Sequence, residues 1–406
     1  MARLSRNVSR RGFIKGTAAA AGGAAALTAL SSCSKKGDDD GTPPTVVDSS
    51  KATYVVGSGS ITGSYTAADS TPQASGTWRL PLGATLRPSE GAWKPFVTPG
   101  KTATPMVRAG AVSISSGAVL TLVEKARAGG NYVILDARCS DSVFAWSEID
   151  LVTRSWKLYA APMTGSALGT VTSLWESDSA WDPPQFTCTS TSVLWYVMPS
   201  ASGGHVTESS SCYLWKTGST QATEVVRSPG HFACEPSVSD GVAVLVPRVR
   251  ASAGRYYGIT AYSLSDDLTT VIDQLVLPQS VAPMLATRID DKFAFSIEAN
   301  YSSGGLLGQM GTYIGNGSDP FVVVPLEPSA DVSGSGGVYV VKTRSSHLVV
   351  NTNDKTYSTI AAPNRSVDYG DYPASVGKTS TLVTFATVKD GATGYPSSVT
   401  VRSFSL

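Results

Sequence analysis

The sequence predicts an all-β chain folded as a closed ring of small four-stranded sheets. Three observations carry this. From Lys51 onward no window places apolar residues at helical spacing, whereas period-2 runs recur as SVFAWSEI, SVLWYVM, GVAVLV, KFAFSIEA, GVYVVKT and TLVTFATV. Each run follows a tight-turn cluster (CSDS, TSTS, VSDG, IDD, GSGG, GKTS), where Gly and Asp tolerate positive φ and Ser or Asp bonds local amides. The first apolar residues after these turns are Val143, Val193, Val242, Phe293, Val338 and Leu382, spaced 44–51 residues apart, and Trp93 after PSEGAW extends the series one step back. A repeat of that length, holding one small sheet, is a propeller blade. Seven anchors predict a seven-bladed β-propeller, or six blades if the Trp93 segment only closes the ring.

Within a repeat the remaining strands are readable. After SVFAWSEIDL come SWKLYAAP and GTVTSLWES, and after GVAVLVPRV come YYGITAYSL and TTVIDQLVLP. Both faces of the Val143–Glu148 run are apolar, as a sheet sandwiched between two neighbours requires. Trp146, Trp156, Trp195 and Trp215 are therefore read as core, filling the wedge that widens away from the axis, rather than as a sugar-stacking platform. The last repeat lacks a fourth strand: after TLVTFATV only SSVTVRSFSL precedes the end at Leu406. A strand from the other terminus, either Lys51–Tyr65 or Thr77–Leu82, should complete it and bring the two ends together.

The SDG-then-apolar hairpin, followed by strands such as KLYAAP or YLWKTG, resembles the repeats of TolB-type propellers from about Thr77 onward. The Pro that usually precedes the Asp-Gly is absent, so the resemblance implies a fold and not an activity.

The first 33 residues read as an address. Arg3, Arg6, Arg10 and Arg11 make a positive start, and the 14 residues TAAAAGGAAALTAL are too few to span a hydrocarbon core, which needs about 20. SRRGFIKG, with Arg10, Arg11 and Phe13 in place and Ile14 where Leu is usual, resembles a twin-arginine export motif. LSSC resembles a bacterial lipobox, which implies lipidation of Cys33 and a membrane anchor on the outer face of the cell membrane. Residues 34–50, SKKGDDDGTPPTVVDSS, read as a solvated tether, and residues 51–406 as one propeller domain. The three aspartates lack the spacing of a calcium loop.

Composition removes several functions. A net charge of +1 leaves no basic face for nucleic acid, and 16% charged residues suits a β-rich extracytoplasmic domain. Cys139, Cys188, Cys212 and Cys234 form no C-x-x-C pair, and three disulfide pairings or free buried thiols are all open. His205, His231 and His347 lie in different repeats, so no metal cluster, haem motif or other cofactor signature is implied. GSGSITGS lacks the Lys of a phosphate loop, and no G-x-S-x-G elbow is present.

Architecture then says where a site would lie. Loops entering the innermost strands gather around the channel on one face, and here they are SAWDPPQF, SPGHFACEP, QSVAP, EPSAD and DYGDYP. They offer Trp181, Asp182, His231, Phe232, Glu235, Asp331, Tyr369, Asp371 and Tyr372, an acidic and aromatic set suited to a sugar, a peptide end or a cation. Turn chemistry and inter-blade packing are the ordinary alternative for the same residues. Arg138 and Arg288, near the ends of two candidate inner strands, are expected at the channel or with buried stems. The function expected first is a monomeric surface binding or scaffold module for an envelope protein or glycan. The alternative is an extracytoplasmic carbohydrate-active enzyme, a hydrolase or lyase using carboxylates on the propeller face.

Overall fold

The computed structural model describes residues 51–203, 205, 208–250, 254–279, 281–297 and 310–406. Arg10, Arg11, Phe13, Cys33 and the tether lie outside these residues. The fold is all-β: among the described residues, seven sheets of four or more strands succeed one another along the chain and form a β-propeller. We number them as blades. Blade 1 covers 85–123, blade 2 132–177, blade 3 186–228, blade 4 237–276, blade 5 285–324 and blade 6 333–361. Blade 7 combines 366–405 with Ala74–Pro81.

Each anchor read from the repeat lies at the start of a second strand, from Trp93–Pro99 in blade 1 to Thr381–Lys389 in blade 7. The reason is local: turns such as those of blades 4 and 6 need positive φ at their tips, which Asp240, Gly241, Gly336 and Gly337 adopt. First strands of successive blades approach one another and line the channel. The strand Val143–Asp150 shows how neighbours are held, because seven of its eight residues are buried. Val143 and Ala145 pack toward Trp195 of blade 3, whereas Phe144 and Trp146 pack toward Val97 of blade 1. Trp146 stacks on Tyr159 at 5.4 Å, and its indole N–H donates to Glu148 at 2.9 Å.

Seven apolar clusters each join one pair of adjacent blades, and the one that unites Leu80, Phe96, Val383 and Val401 closes blade 7 onto blade 1. Trp146, Trp156, Trp195 and Trp215 all lie in these cores, at most 2% exposed. Trp195→Ala is expected to lower stability by about 3–5 kcal/mol, read as a lower urea midpoint at unchanged slope.

The chain enters from outside the ring. Thr53–Tyr54 adds a parallel edge to blade 5 and Thr66–Ala67 a parallel edge to blade 6. Ala74–Pro81 then pairs antiparallel with Pro396–Ser405 as the outer strand of blade 7. Of the two closing segments considered, the Thr77–Leu82 region supplies the strand, and Lys51–Tyr65 does not. Cys139, Cys188, Cys212 and Cys234 are free thiols in the cores, and burial pushes their pKa values up. Among the described residues no helix is long and apolar enough to cross a membrane.

Candidate functional site

A strap crosses the channel and divides it. DYGDYP, expected as an entry loop, belongs instead to the first strand of blade 7, Ser366–Pro373, because it pairs with Thr381–Lys389. Residues 374–379 then leave that blade and run across the axis. Gly377–Lys378 pairs in parallel with Ser333–Gly334 of blade 6. The Lys378 amide donates to Ser239 Oγ of blade 4 at 2.9 Å, and its ammonium reaches Asp240 at 2.7 Å and Asp290 at 3.6 Å. Gly377 sits at φ +68°, and a Cβ there would lie 2.3 Å from Ser239 Oγ, so the strap needs glycine at its closest approach. Val376 lines a cavity on each side of the strap.

The upper cavity, about 590 Å³, opens where the chain enters the inner strands. Arg138, on the first strand of blade 2, is its electrostatic centre. Its guanidinium is buried, donates to Asp136 at 2.5 Å and to Glu235 at 2.8 Å, and lies over the Phe186 ring at 5.6 Å. Asp136 also accepts from Arg87 at 2.9 Å, so one carboxylate holds two guanidinium groups. Burial works against the Arg138 charge, but Asp136 and Glu235 outweigh it and raise its pKa. Asp331, in the loop entering blade 6, lines the same cavity. Burial, reinforced by Glu235 and opposed by Arg138, pushes its pKa up to about 7. The mouth thus holds one carboxylate committed to a cation and one carboxyl that changes charge near neutrality.

This shift has a sign that can be tested. The folded chain holds the Asp331 proton more tightly than the unfolded chain does. The resulting stabilisation is full below about pH 4 and is lost as pH rises through about 7. Melting temperature should therefore fall across that window more steeply in the wild type than in Asp331→Asn.

The structure brings together Glu235, Asp331 and Tyr372 at the mouth, and Tyr372 is 41% exposed there. The Tyr369 side chain lies outside those described, and the other residues of the expected face lie elsewhere. Trp181, 37% exposed, bridges Pro199 on the rim, and the Asp182 carboxylate accepts from the Ala201 amide at 3.1 Å. Phe232 is buried and stacks on Tyr196 at 4.0 Å, which makes it packing between blades 3 and 4. His231 does not line the cavity, and its Nε2 is buried without a described hydrogen-bond partner. Asp371 is buried under the mouth, bonded to Arg402 at 2.9 Å with His347 at 3.4 Å. Arg288 likewise stays out of the cavity. Arg87, Asp136 and the strap complete the site and were not read from the sequence. The Arg138–Glu235 pair joins blades 97 residues apart, and no local pattern announces it.

No protein-family model matches the chain, and no curated protein matches it in sequence. Solved structures do. A prolyl endopeptidase superposes with a TM-score of 0.51 at 12% identity over 80% of this chain and 50% of that one. The β-propeller domain of the trilobed protease from Pyrococcus furiosus, with its open velcro topology, gives 0.48 at 10% identity over 75% and 92%. An oligogalacturonate lyase from Vibrio parahaemolyticus gives 0.47 at 10% identity over 83% and 95%. The fold is that of a β-propeller. At such identities the likeness is one of fold alone, and the chain spans only half the length of the prolyl endopeptidase.

Proposed function

We propose that the chain is a lipid-anchored, extracytoplasmic propeller that binds an envelope glycan or protein at the mouth of its channel. The observation that carries this reading is the blind mouth, a cavity of about 590 Å³ floored by Val376 and lined by Glu235, Asp331, Arg138 and Tyr372. Such a cavity buries a small group, and its convergent carboxyls accept hydrogen bonds from hydroxyls or an ammonium. Tyr372 adds an exposed aromatic face at the edge. The resemblance of SRRGFIKG to a twin-arginine motif and of LSSC to a lipobox supports an exported ring anchored through Cys33.

The test is a glycan array and an envelope pull-down with the full chain, beside Glu235→Ala and Asp331→Ala. Retention is expected to fall at least tenfold in both variants, as loss of a charged hydrogen-bond partner implies. Undiminished retention in both variants would remove the mouth as the binding face.

One observation favours a second reading, a carbohydrate-active enzyme. An acid with a pKa of about 7 beside a carboxylate paired to Arg138 has the protonation states that glycosidic cleavage uses. That reading predicts turnover of an envelope polysaccharide that Asp331→Asn abolishes while binding persists.

A further inference from the structure

The strap leaves a second cavity, of about 600 Å³, at the opposite end of the inner strands. Its walls come from the turn before the second strand of blade 1, from Asp240 at the blade 4 hairpin, and from the underside of the strap. Most of its charges satisfy one another. Lys378 is held by Asp240 and Asp290, while Glu90 accepts from Thr189 Oγ1 at 2.6 Å and from the Asp240 amide at 3.0 Å.

Lys94 is the exception. It projects from Trp93–Pro99, is 4% exposed, and its Nζ donates to the Ser89 carbonyl at 2.6 Å, with no carboxylate among the described residues in ion-pair contact. An ammonium carries three N–H donors, so two remain for a group inside the cavity. Three of the surrounding hydroxyls have the opposite bias. Ser89 Oγ donates to Trp93 O, and Ser375 Oγ and Thr379 Oγ1 both donate to Thr381 O, so their protons are spent. Ser375 Oγ and Thr379 Oγ1 also accept from the Val383 and Thr381 amides, and each hydroxyl keeps a lone pair to accept with.

We propose that this cavity is a second ligand site that takes a small polyhydroxylated carboxylate, such as a sugar acid, with its carboxylate on Lys94 and its hydroxyls donating to the Ser/Thr wall. The volume suits one such molecule. A neutral polyol would hydrogen-bond the ammonium without balancing its charge, and a simple carboxylate would leave the acceptors unanswered. Because Val376 separates the cavities, the site is independent of the mouth and of its proposed role.

Burial lowers the Lys94 pKa to about 8, against the raising influence of Cys139, Asp141 and Glu90, with Lys378 and Asp240 also facing the cavity. A bound carboxylate favours the charged amine, so affinity should weaken as pH rises from 7 to 9.5.

The experiment is calorimetric titration of the full chain with gluconate, sorbitol and propionate as probes. Gluconate is expected to bind one to one, with sorbitol and propionate at least tenfold weaker. Lys94→Met should weaken gluconate at least tenfold and remove the pH dependence. Ser115→Trp tests the site without touching a core, because Ser115 is an exposed wall residue and indole would fill the cavity. It should abolish binding at unchanged melting temperature. No binding of gluconate, equal binding of sorbitol, or full binding in a folded Ser115→Trp chain would each overturn the proposal.

Discussion

Deleting residues 51–82 is expected to leave no cooperatively folded ring. The deletion removes the two edge strands on blades 5 and 6 and the whole outer strand of blade 7. It exposes one edge of Pro396–Ser405 and takes Leu80 from the cluster that joins blade 7 to blade 1. The loss is on the order of the 5–15 kcal/mol that holds a typical domain together. Near-ultraviolet circular dichroism and urea titration should therefore show no native transition. A truncated chain that melted like the full one would mean that closure does not depend on the N-terminal strand.

Arg138→Leu is the second large effect. Removing one partner of a buried ion pair costs about 3–5 kcal/mol, because the other charge is left without a partner. Here Asp136 keeps Arg87, and Glu235, whose side chain is 56% exposed, turns to water, so the loss falls below that range, to about 2 kcal/mol for the charged hydrogen bonds removed. The same change removes the one group that lowers the Asp331 pKa, so that carboxyl should titrate above its present value of about 7. A carboxyl-detected NMR titration of Asp331 reads this directly. An unchanged midpoint would mean that Arg138 does not act on it.

The ring was legible because its information is local and repeated. Positive-φ turn residues and period-2 apolar runs recur with every blade, and each anchor from Trp93 to Leu382 starts a second strand. The tryptophans followed from the same logic, since a two-sided apolar strand must lie between neighbours. The site was legible only in part. Glu235, Asp331 and Tyr372 were reachable because the architecture says which loops meet at the channel. Phe232 could not be told from a rim aromatic, because its stacking on Tyr196 is a contact between blades. The strap was hidden because residues 374–379 carry no strand pattern, and their bonds run to Ser239, Val332 and Gly334. Lys94 shows the same limit: its neighbours mark a buried strand, but only the assembled cavity shows the ammonium without a carboxylate.

The mouth as binding face is tested most directly by hydrogen exchange on the full chain, with and without saturating amounts of the glycan or protein that it captures. Binding at the mouth predicts slowed exchange at 233–237 and 329–332, the segments that carry Glu235 and Asp331 into the cavity. Protection confined to the Trp181 rim or to the outer strands, with those two segments unchanged, would contradict it.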